Sequence, residues 1–369
     1  MPELTSHWWS RWNPVQISTR QSALELLAAL APLTGRILLV TTAGFSKRGV
    51  TARVQRALQH LDIVVYDGVE PNPQLAAIDD ATERFAAAKS DVIVALGGGS
   101  AVDTAKVLGV TLASGESRPL HRVLRSGVPQ DWRSRVPVIA VPTTSGTGAE
   151  VTPFATVWDS ETHRKYSVAG PNVYPVHAVL DPLLTLTLPA DETLHSGLDS
   201  VSHALESLWN RNRSAVSTAW ALQSLALAVT ALPAVLARPD DLAAREDLQH
   251  ASLLAGFAIS QTRTAIAHSI SYPMTLRFAM PHGLACSFTL PALMRRNAEA
   301  LEGIMGDREL FRAVYEMLGS LHLPQQALRY ASVDQIQQVE AEMQTADRLG
   351  NYSGVVAEPR DLLAESLGR

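Results

Sequence analysis

Asp199 and His203 stand four residues apart in LHSGLDSVSHALES, and His268 and His282 stand fourteen apart in AIAHSISYPMTLRFAMPHG. An i, i+4 spacing on a segment of helical periodicity puts the carboxylate and the imidazole on one helix face, about one turn apart. His268 falls in an apolar helical run, and His282 sits on a Pro-His-Gly turn. Three imidazoles and one carboxylate suit Zn2+ or Fe2+ well and Mg2+ or Ca2+ poorly. Taken singly, each histidine is better explained by a structural or exposed role than as a ligand, and His163, His177, His195 and His250 show how widely this chain scatters them. The four single themselves out through the helical pair and through a histidine held between Pro281 and Gly283.

A second kind of chemistry is written in VIVALGGGSAVDTAK, where a buried-strand pattern runs through Gly97, Gly98, Gly99 and Ser100 into a helical one. Bare backbone N–H groups at a helix N-terminus suit a phosphate. The spacing is not GxGxxG, and three glycines after a strand equally form a tight turn. PTTSGTGAE, residues 142–150, is a second small-residue loop directly after a predicted strand. Open α/β sheets bind ligands along that edge. The strand near Ile37 ends in TTAGFSKRG, with no nearby acid in sequence to hold an adenosine ribose; Thr41, Thr42, Ser46, Lys47 and Arg48 could face a 2′-phosphate instead. That tips the expectation towards NADPH over NADH. A metal in one half and a nucleotide in the other describe a metal-assisted dehydrogenase.

These groups need elements to hold them. ILLVTT (37–42), IVVYDG (63–68), VIVALGGG (92–99) and VPVIAVPTT (136–144) read as buried strands, with RVQRALQHL and QLAAIDDATERFAAAK as amphipathic helices between them. This alternation predicts a parallel, Rossmann-like sheet covered on both faces. FATVWDS and KYSVAG read as a hairpin. Beyond Glu192, runs such as AVSTAWALQSLALAVTALPAVLA predict an all-helical domain. The expected boundary divides an α/β dinucleotide-binding domain, 1–189, from a helical metal-binding and substrate domain, 190–369. With 369 residues and 46% hydrophobic content, each half can build its own core.

A net charge of −5 without a basic run points away from nucleic acid and anionic membranes. Cys286 is the one cysteine, which fits a reducing cytoplasm. No signal core and no uncharged apolar stretch of about 20 residues is expected, so the reading is a cytoplasmic protein. Trp8, Trp9 and Trp12 are a candidate contact surface.

As a set, GGGSAVDTAK, PTTSGTGAEVTPFATVWD, GLDSVSHALES and AIAHSISY…PHGLACSFTLP resemble the iron-containing (group III) alcohol dehydrogenase family, in that family's order, across Gly97 to Pro291. The resemblance implies a cleft between an α/β domain and a helical domain, and a homodimer. It implies Asp199, His203, His268 and His282 as ligands of one Fe2+ or Zn2+. It assigns the pyrophosphate to Gly97, Gly98, Gly99 and Ser100, with Thr42 nearby. Asp103, Thr143, Thr144 and Thr147 then line the ribose and nicotinamide, and Lys165 lies close to the cofactor.

Two departures bear on the chemistry. Many members carry a histidine four residues after the third ligand; here the residue is Tyr272. A phenol can donate a hydrogen bond or pass a proton, although its ordinary pKa is about 10. Tyr272, Asp103 and Lys165 are therefore the candidate catalytic residues, with water as the other route for the proton. Arg263 stands where simple-alcohol members usually carry a small residue, and cannot share a face with His268 unless the helix breaks between them. TRTAIAHSISYPMT and, more loosely, DRLGNYSGVVAEPRDLL are similar to the branch that reduces phosphonoacetaldehyde to 2-hydroxyethylphosphonate. Arg263, Arg277, Arg164, Lys165 and Tyr272 are the candidate contacts for the anionic substrate. Other readings are a general short-chain aldehyde or sulfoacetaldehyde reductase, a redox-free lyase of the dehydroquinate synthase type, and a silent nucleotide sensor.

Overall fold

The computed structural model describes residues 13–19, 22–30, 35–162, 164–343, 346–354 and 358–367. Trp8, Trp9, Trp12 and His163 lie outside the described residues.

Six parallel strands form the sheet: β1 (Gln16–Thr19), β2 (Arg36–Val40), β3 (Asp62–Tyr66), β4 (Val92–Gly97), β5 (Val138–Pro142) and, beyond the hairpin β6 (Phe154–Asp159) and β7 (Arg164–Ala169), β8 (His177–Leu180). Their order is β1-β8-β5-β4-β2-β3. Side chains alternate between two cores, as a pleat requires. Leu38, Val40, Ile93, Ala95 and Ala140 enter one cluster, while Ile37, Leu39, Val92, Val94, Ile139 and Val141 enter the other. Both faces are covered, so these strands read as continuous apolar runs. Helices α1 (Ala23–Leu30), α2 (Ala43–Lys47), α3 (Val50–Ala57), α4 (Leu75–Ala86) and α5 (Gly99–Ser114) interleave with the early strands.

The chain leaves β2 for β3 on one side and returns from β3 to β4 on the other. The winding therefore reverses between β2 and β4, and the crevice beyond their carboxyl ends is the place where such sheets take ligands. Thr42 and Gly97–Ser100 stand at its two lips.

From Ala190 onward the described elements are helical. The main bundle is α6 (Ala190–Leu208), α7 (Ala215–Ala237) and α8 (Leu242–Thr262), followed by α9 (Ile266–Phe278) and α10 (His282–Ala285). The remainder are α11 (Leu290–Arg296), α12 (Ala298–Met305), α13 (Arg308–Ser320), α14 (Leu323–Ala327), α15 (Val333–Gln338), α16 (Ala346–Asn351) and α17 (Pro359–Leu367), with short 3-10 turns among them.

The chain does hold an uncharged apolar stretch of more than 20 residues, against the expectation from the sequence. Helix α7 carries no charge over its 23 residues and is long and apolar enough, by length and composition, to cross a bilayer. Here Ala221, Leu225, Ala228, Leu232 and Val235 form its buried stripe, and it packs against α6 and α8. Ser224 satisfies its hydroxyl on the Ala251 carbonyl of α8, 2.8 Å away.

Candidate active site

Helix α6 presents Asp199 and His203 on one buried face. His268 enters from the first turn of α9, and His282 opens α10. Their polar atoms converge on one carboxylate oxygen: Asp199 Oδ1 lies 3.4 Å from His203 Nε2, 3.5 Å from His268 Nε2 and 3.9 Å from His282 Nε2. The His203 and His268 rings stack at 4.8 Å, and His282 meets His268 edge-on at 5.2 Å. His195, one turn earlier on α6, meets α10 through its backbone: a Cβ on Gly283 would collide with the His195 carbonyl. That contact explains the glycine after His282, because it lets α10 settle against α6 and brings His282 beside Asp199.

Glu206 was not singled out by sequence reasoning, yet it orders the site. It is fully buried on α6, and its carboxylate accepts the Ala267 amide at 2.6 Å, the Ala265 amide at 2.9 Å and His268 Nδ1 at 2.7 Å. These bonds offset the cost of burying the charge. They also fix the tautomer of the neutral ring: with Nδ1 donating to Glu206, the lone pair of neutral His268 is on Nε2, a buried atom with no hydrogen-bond partner. A carboxylate behind a histidine, turning its free nitrogen towards a shared point, is how metal ligands are oriented. Glu206 shares a helix face with His203 and Asp199, three and seven positions earlier, but nothing in the sequence sets it against His268.

Charge follows from burial and neighbours. Burial holds His203 down to about 4 and His282 down to about 3, so both are neutral. Burial alone would lower His268 too, but the charge and hydrogen bond of Glu206 and the nearby Asp199 carboxylate raise it to about 9. Burial pushes Asp199 up, and the surrounding histidines, His203 foremost, more than reverse it. Cys286 was read only for its redox compartment. It is buried, and its Sγ shares a 4.8 Å cluster with Asp199, His268 and His282. Its thiol donates to Asp199 Oδ1 at 3.4 Å, and burial followed by the Asp199 charge raises its pKa, which keeps it a thiol behind the carboxylate. The donor set that fits a divalent cation is thus one ionised carboxylate and three imidazoles, each able to offer Nε2.

The glycine loop faces the same region. Gly98 is the N-cap of α5, and a Cβ there would lie 3.1 Å from Thr144 Cγ2; one on Gly99 would lie 2.6 Å from Thr147 Cγ2. The Thr143 amide donates to the Gly97 carbonyl at 3.0 Å. Gly97–Ser100 and Thr143–Thr147 therefore form one wall at a 16-residue helix's N-terminus, with backbone amides and hydroxyls to offer a diphosphate. Across the crevice, Thr42 has no side-chain capping bond on α2, Lys47 and Arg48 are exposed, and Arg48 lies over the Phe45 ring at 4.7 Å. Sequence reasoning found no acid near this lip. The fold supplies one: Thr42 bridges to Gly68, which places half-buried Asp67 alongside it.

Asp103 accepts the Thr156 amide at 2.8 Å and lies 3.6 Å from the buried Lys106 ammonium. Lys106, unremarked in the sequence, donates to the Ala149 carbonyl at 2.8 Å and Thr152 Oγ1 at 3.0 Å. Burial raises Asp103 and lowers Lys106, and the two act as a brace between α5 and the hairpin.

That hairpin carries Lys165 across to the helical domain, where its ammonium sits 4.0 Å from the centre of the Tyr272 ring and 5.1 Å from that of Trp158. Arg348 of α16, missed in the sequence, donates through Nε to the Tyr272 hydroxyl at 2.9 Å. Burial raises the Tyr272 pKa, but the charges of Lys165, Arg348 and His268 outweigh it and the net shift is downward.

The anion candidates separate. The helix does break before His268: α8 ends at Thr262, Arg263 turns with φ +63°, and α9 starts at Ile266. Arg263 is nevertheless exposed, as is Arg164. Arg277 is also exposed, and its guanidinium is engaged twice by Glu342, at 3.0 and 3.2 Å. Of the residues proposed for the anion, only Lys165 and Tyr272 are brought together.

Sequence comparison matches residues 14–182 to the family described as iron-containing alcohol dehydrogenase, and residues 193–366 to the C-terminal region of the Fe-containing alcohol dehydrogenase family. The chain belongs to the iron-containing alcohol dehydrogenase family. Among curated relatives, it is 36% identical to phosphonoacetaldehyde reductase of Streptomyces viridochromogenes over 84% of this chain and 81% of that one. It is 32% identical to 1,3-propanediol dehydrogenase of Citrobacter freundii, over 81% and 76%. Among solved structures, sulfoacetaldehyde reductase of Bifidobacterium kashiwanohense in complex with NAD+ superposes with a TM-score of 0.84 at 24% identity, covering 96% of each chain. The iron-containing alcohol dehydrogenase architecture, a parallel sheet with helices followed by a largely helical domain, is thus shared along nearly the whole chain.

Proposed function

We propose that this dehydrogenase reduces a small anionic aldehyde, with phosphonoacetaldehyde to 2-hydroxyethylphosphonate as the leading candidate. It would use NADPH or NADH and one divalent ion, Fe2+ or Zn2+, held by Asp199, His203, His268 and His282. The observation that carries the reading is the convergence of three Nε2 atoms on Asp199 Oδ1. The anionic substrate is supported by two cationic side chains meeting at Tyr272 and by the identity to phosphonoacetaldehyde reductase.

When bound, the cation supplies Lewis-acid polarisation of a carbonyl oxygen, and the nicotinamide supplies hydride. The protein's own residues do the rest. Glu206 keeps His268 turned with Nε2 inward, and the Cys286 thiol steadies Asp199 from behind. The Gly98 and Gly99 amides and the Ser100 hydroxyl bind the diphosphate at the start of α5. Thr143, Thr144 and Thr147 line the ribose and nicotinamide, with Asp103 bracing the hairpin behind them. Because Tyr272 accepts from Arg348, its own O–H is available to hydrogen-bond the substrate, with water as the other route for the proton. Lys47 and Arg48 favour a 2′-phosphate, whereas Asp67 beside Thr42 would favour an unmodified ribose; a comparison of NADPH with NADH decides between them.

The test is a nucleotide-oxidation assay on phosphonoacetaldehyde, sulfoacetaldehyde and propanal. The reading requires kcat/KM to be highest for phosphonoacetaldehyde. A preference for propanal would replace it with a general short-chain aldehyde reductase, and product formation without nucleotide oxidation would indicate a lyase.

A further inference from the structure

Tyr272 is the meeting point of two cationic side chains from opposite domains. Lys165 comes from β7, on the sheet side, and stands over the face of the ring at 4.0 Å. Arg348 comes from α16, near the end of the helical domain, and holds the hydroxyl at 2.9 Å through Nε. A cation over an aromatic face is favourable, and a second on the hydroxyl edge of the same ring puts two cationic donors at one phenol. Lys165 and Arg348 both act electrostatically on Tyr272. His268 is four residues, about one turn, before Tyr272, so this charge lies beside the metal ligands. Arg277, on the same helix, is engaged by Glu342 at the surface.

We propose that Lys165, Tyr272 and Arg348 form the subsite for the substrate's anionic end, with Arg348 as a specificity-determining residue. This rests on the aldehyde-reductase reading above and names the residues that select among aldehydes. Arg348 fixes the orientation of the phenol: since the tyrosine oxygen accepts from Nε, the O–H points away from Arg348, towards an incoming oxyanion. Lys165 supplies the opposing donor. A phosphonate spans the two with separate oxygens, and an uncharged aldehyde such as propanal gains nothing from either. Because the donors belong to different domains, bound oxyanion also ties the hairpin to α9 and α16.

The experiment compares wild type, Arg348→Gln, Arg348→Lys and Tyr272→Phe by the ratio of kcat/KM for phosphonoacetaldehyde to that for propanal. Binding of methylphosphonate to each holoenzyme is followed by calorimetry. Arg348→Gln should lower the ratio roughly tenfold to hundredfold, the range for a lost charge-assisted bond, mainly through KM. Methylphosphonate affinity should fall alongside. Arg348→Lys should recover part of both, and Tyr272→Phe should lower both while keeping the ring beneath Lys165. If Arg348→Gln depresses both aldehydes equally, or leaves methylphosphonate binding unchanged, Arg348 is structural and the subsite is wrong while the reductase reading stands. If wild type itself shows no preference for the phosphonate, the substrate reading fails and the subsite falls with it.

Discussion

Replacing Glu206 with Gln separates two effects that the structure places on one side chain. The carboxylate accepts from the Ala265, Ala267 and His268 amides and from His268 Nδ1. A carboxamide has one accepting oxygen, so it cannot keep all four, and the imidazole loses its rigid orientation. Loss of such a partner typically costs about 10- to 100-fold in metal affinity. The opposing effect is protonic. Glu206 is the leading charge that raises His268 to about 9, so without metal His268 is protonated at neutral pH and its proton competes with the ion. At pH 7, two units below that value, the competition weakens binding by about 100-fold; it disappears as pH rises through 9. His203 and His282, neutral above about 4 and 3, add no slope in this window. Wild-type zinc affinity, measured by chelator competition, should therefore rise about tenfold per pH unit from 7 towards 9. In Glu206→Gln the slope should nearly vanish, the variant binding about 10- to 100-fold more weakly at pH 9 and close to wild type at pH 7. An unchanged slope in the variant would refute the assignment of the coupled charge to Glu206.

Gly99→Ala places a methyl 2.6 Å from Thr147 Cγ2 and 2.9 Å from Thr147 Oγ1, so the two loops must part. Nucleotide affinity should fall about tenfold with the metal stoichiometry intact, read by fluorescence titration and metal analysis. In the acid range, Asp159 is held down to about 2 by bonds from Arg125 at 2.7 and 2.8 Å. Its folded pKa lies below the ordinary value, so its contribution is present above about pH 4 and is lost as pH falls through about 2. Asp159→Asn should lower Tm at pH 6, and the gap from wild type should close by pH 2. Arg48→Ala should reduce the kcat/KM ratio of NADPH to NADH several-fold, as a lost phosphate contact does; no change would remove Arg48 from the nucleotide site.

Periodicity exposed the middle of the sheet because β2, β4 and β5 are buried on both faces and written in unbroken apolar residues. It missed β1 and β8, four residues each, the first at the sheet edge and the second followed at once by Asp181-Pro182. The convergence of Asp199, His203, His268 and His282 was legible because two share one helix face. Glu206 and Arg348 were not, since neither stands beside its partner in sequence: Glu206 meets His268 62 positions later, and Arg348 lies 76 positions beyond Tyr272. Arg277 misled for the same reason. Only the folded chain brings Glu342 to it and makes a surface ion pair of a supposed substrate contact. Asp67 is a further instance, delivered to Thr42 by strand pairing rather than by proximity along the chain.

Asp199, His203, His268 and His282 together should hold one ion that the reduction requires. The direct measurement is phosphonoacetaldehyde reduction by chelator-stripped protein, reloaded with Fe2+ or Zn2+, beside His268→Ala. Stripped protein should show no turnover and recover it at one ion per chain, and His268→Ala should have neither ion nor activity while retaining nucleotide binding. Full turnover in the stripped enzyme would mean that the quartet holds no ion the reaction needs.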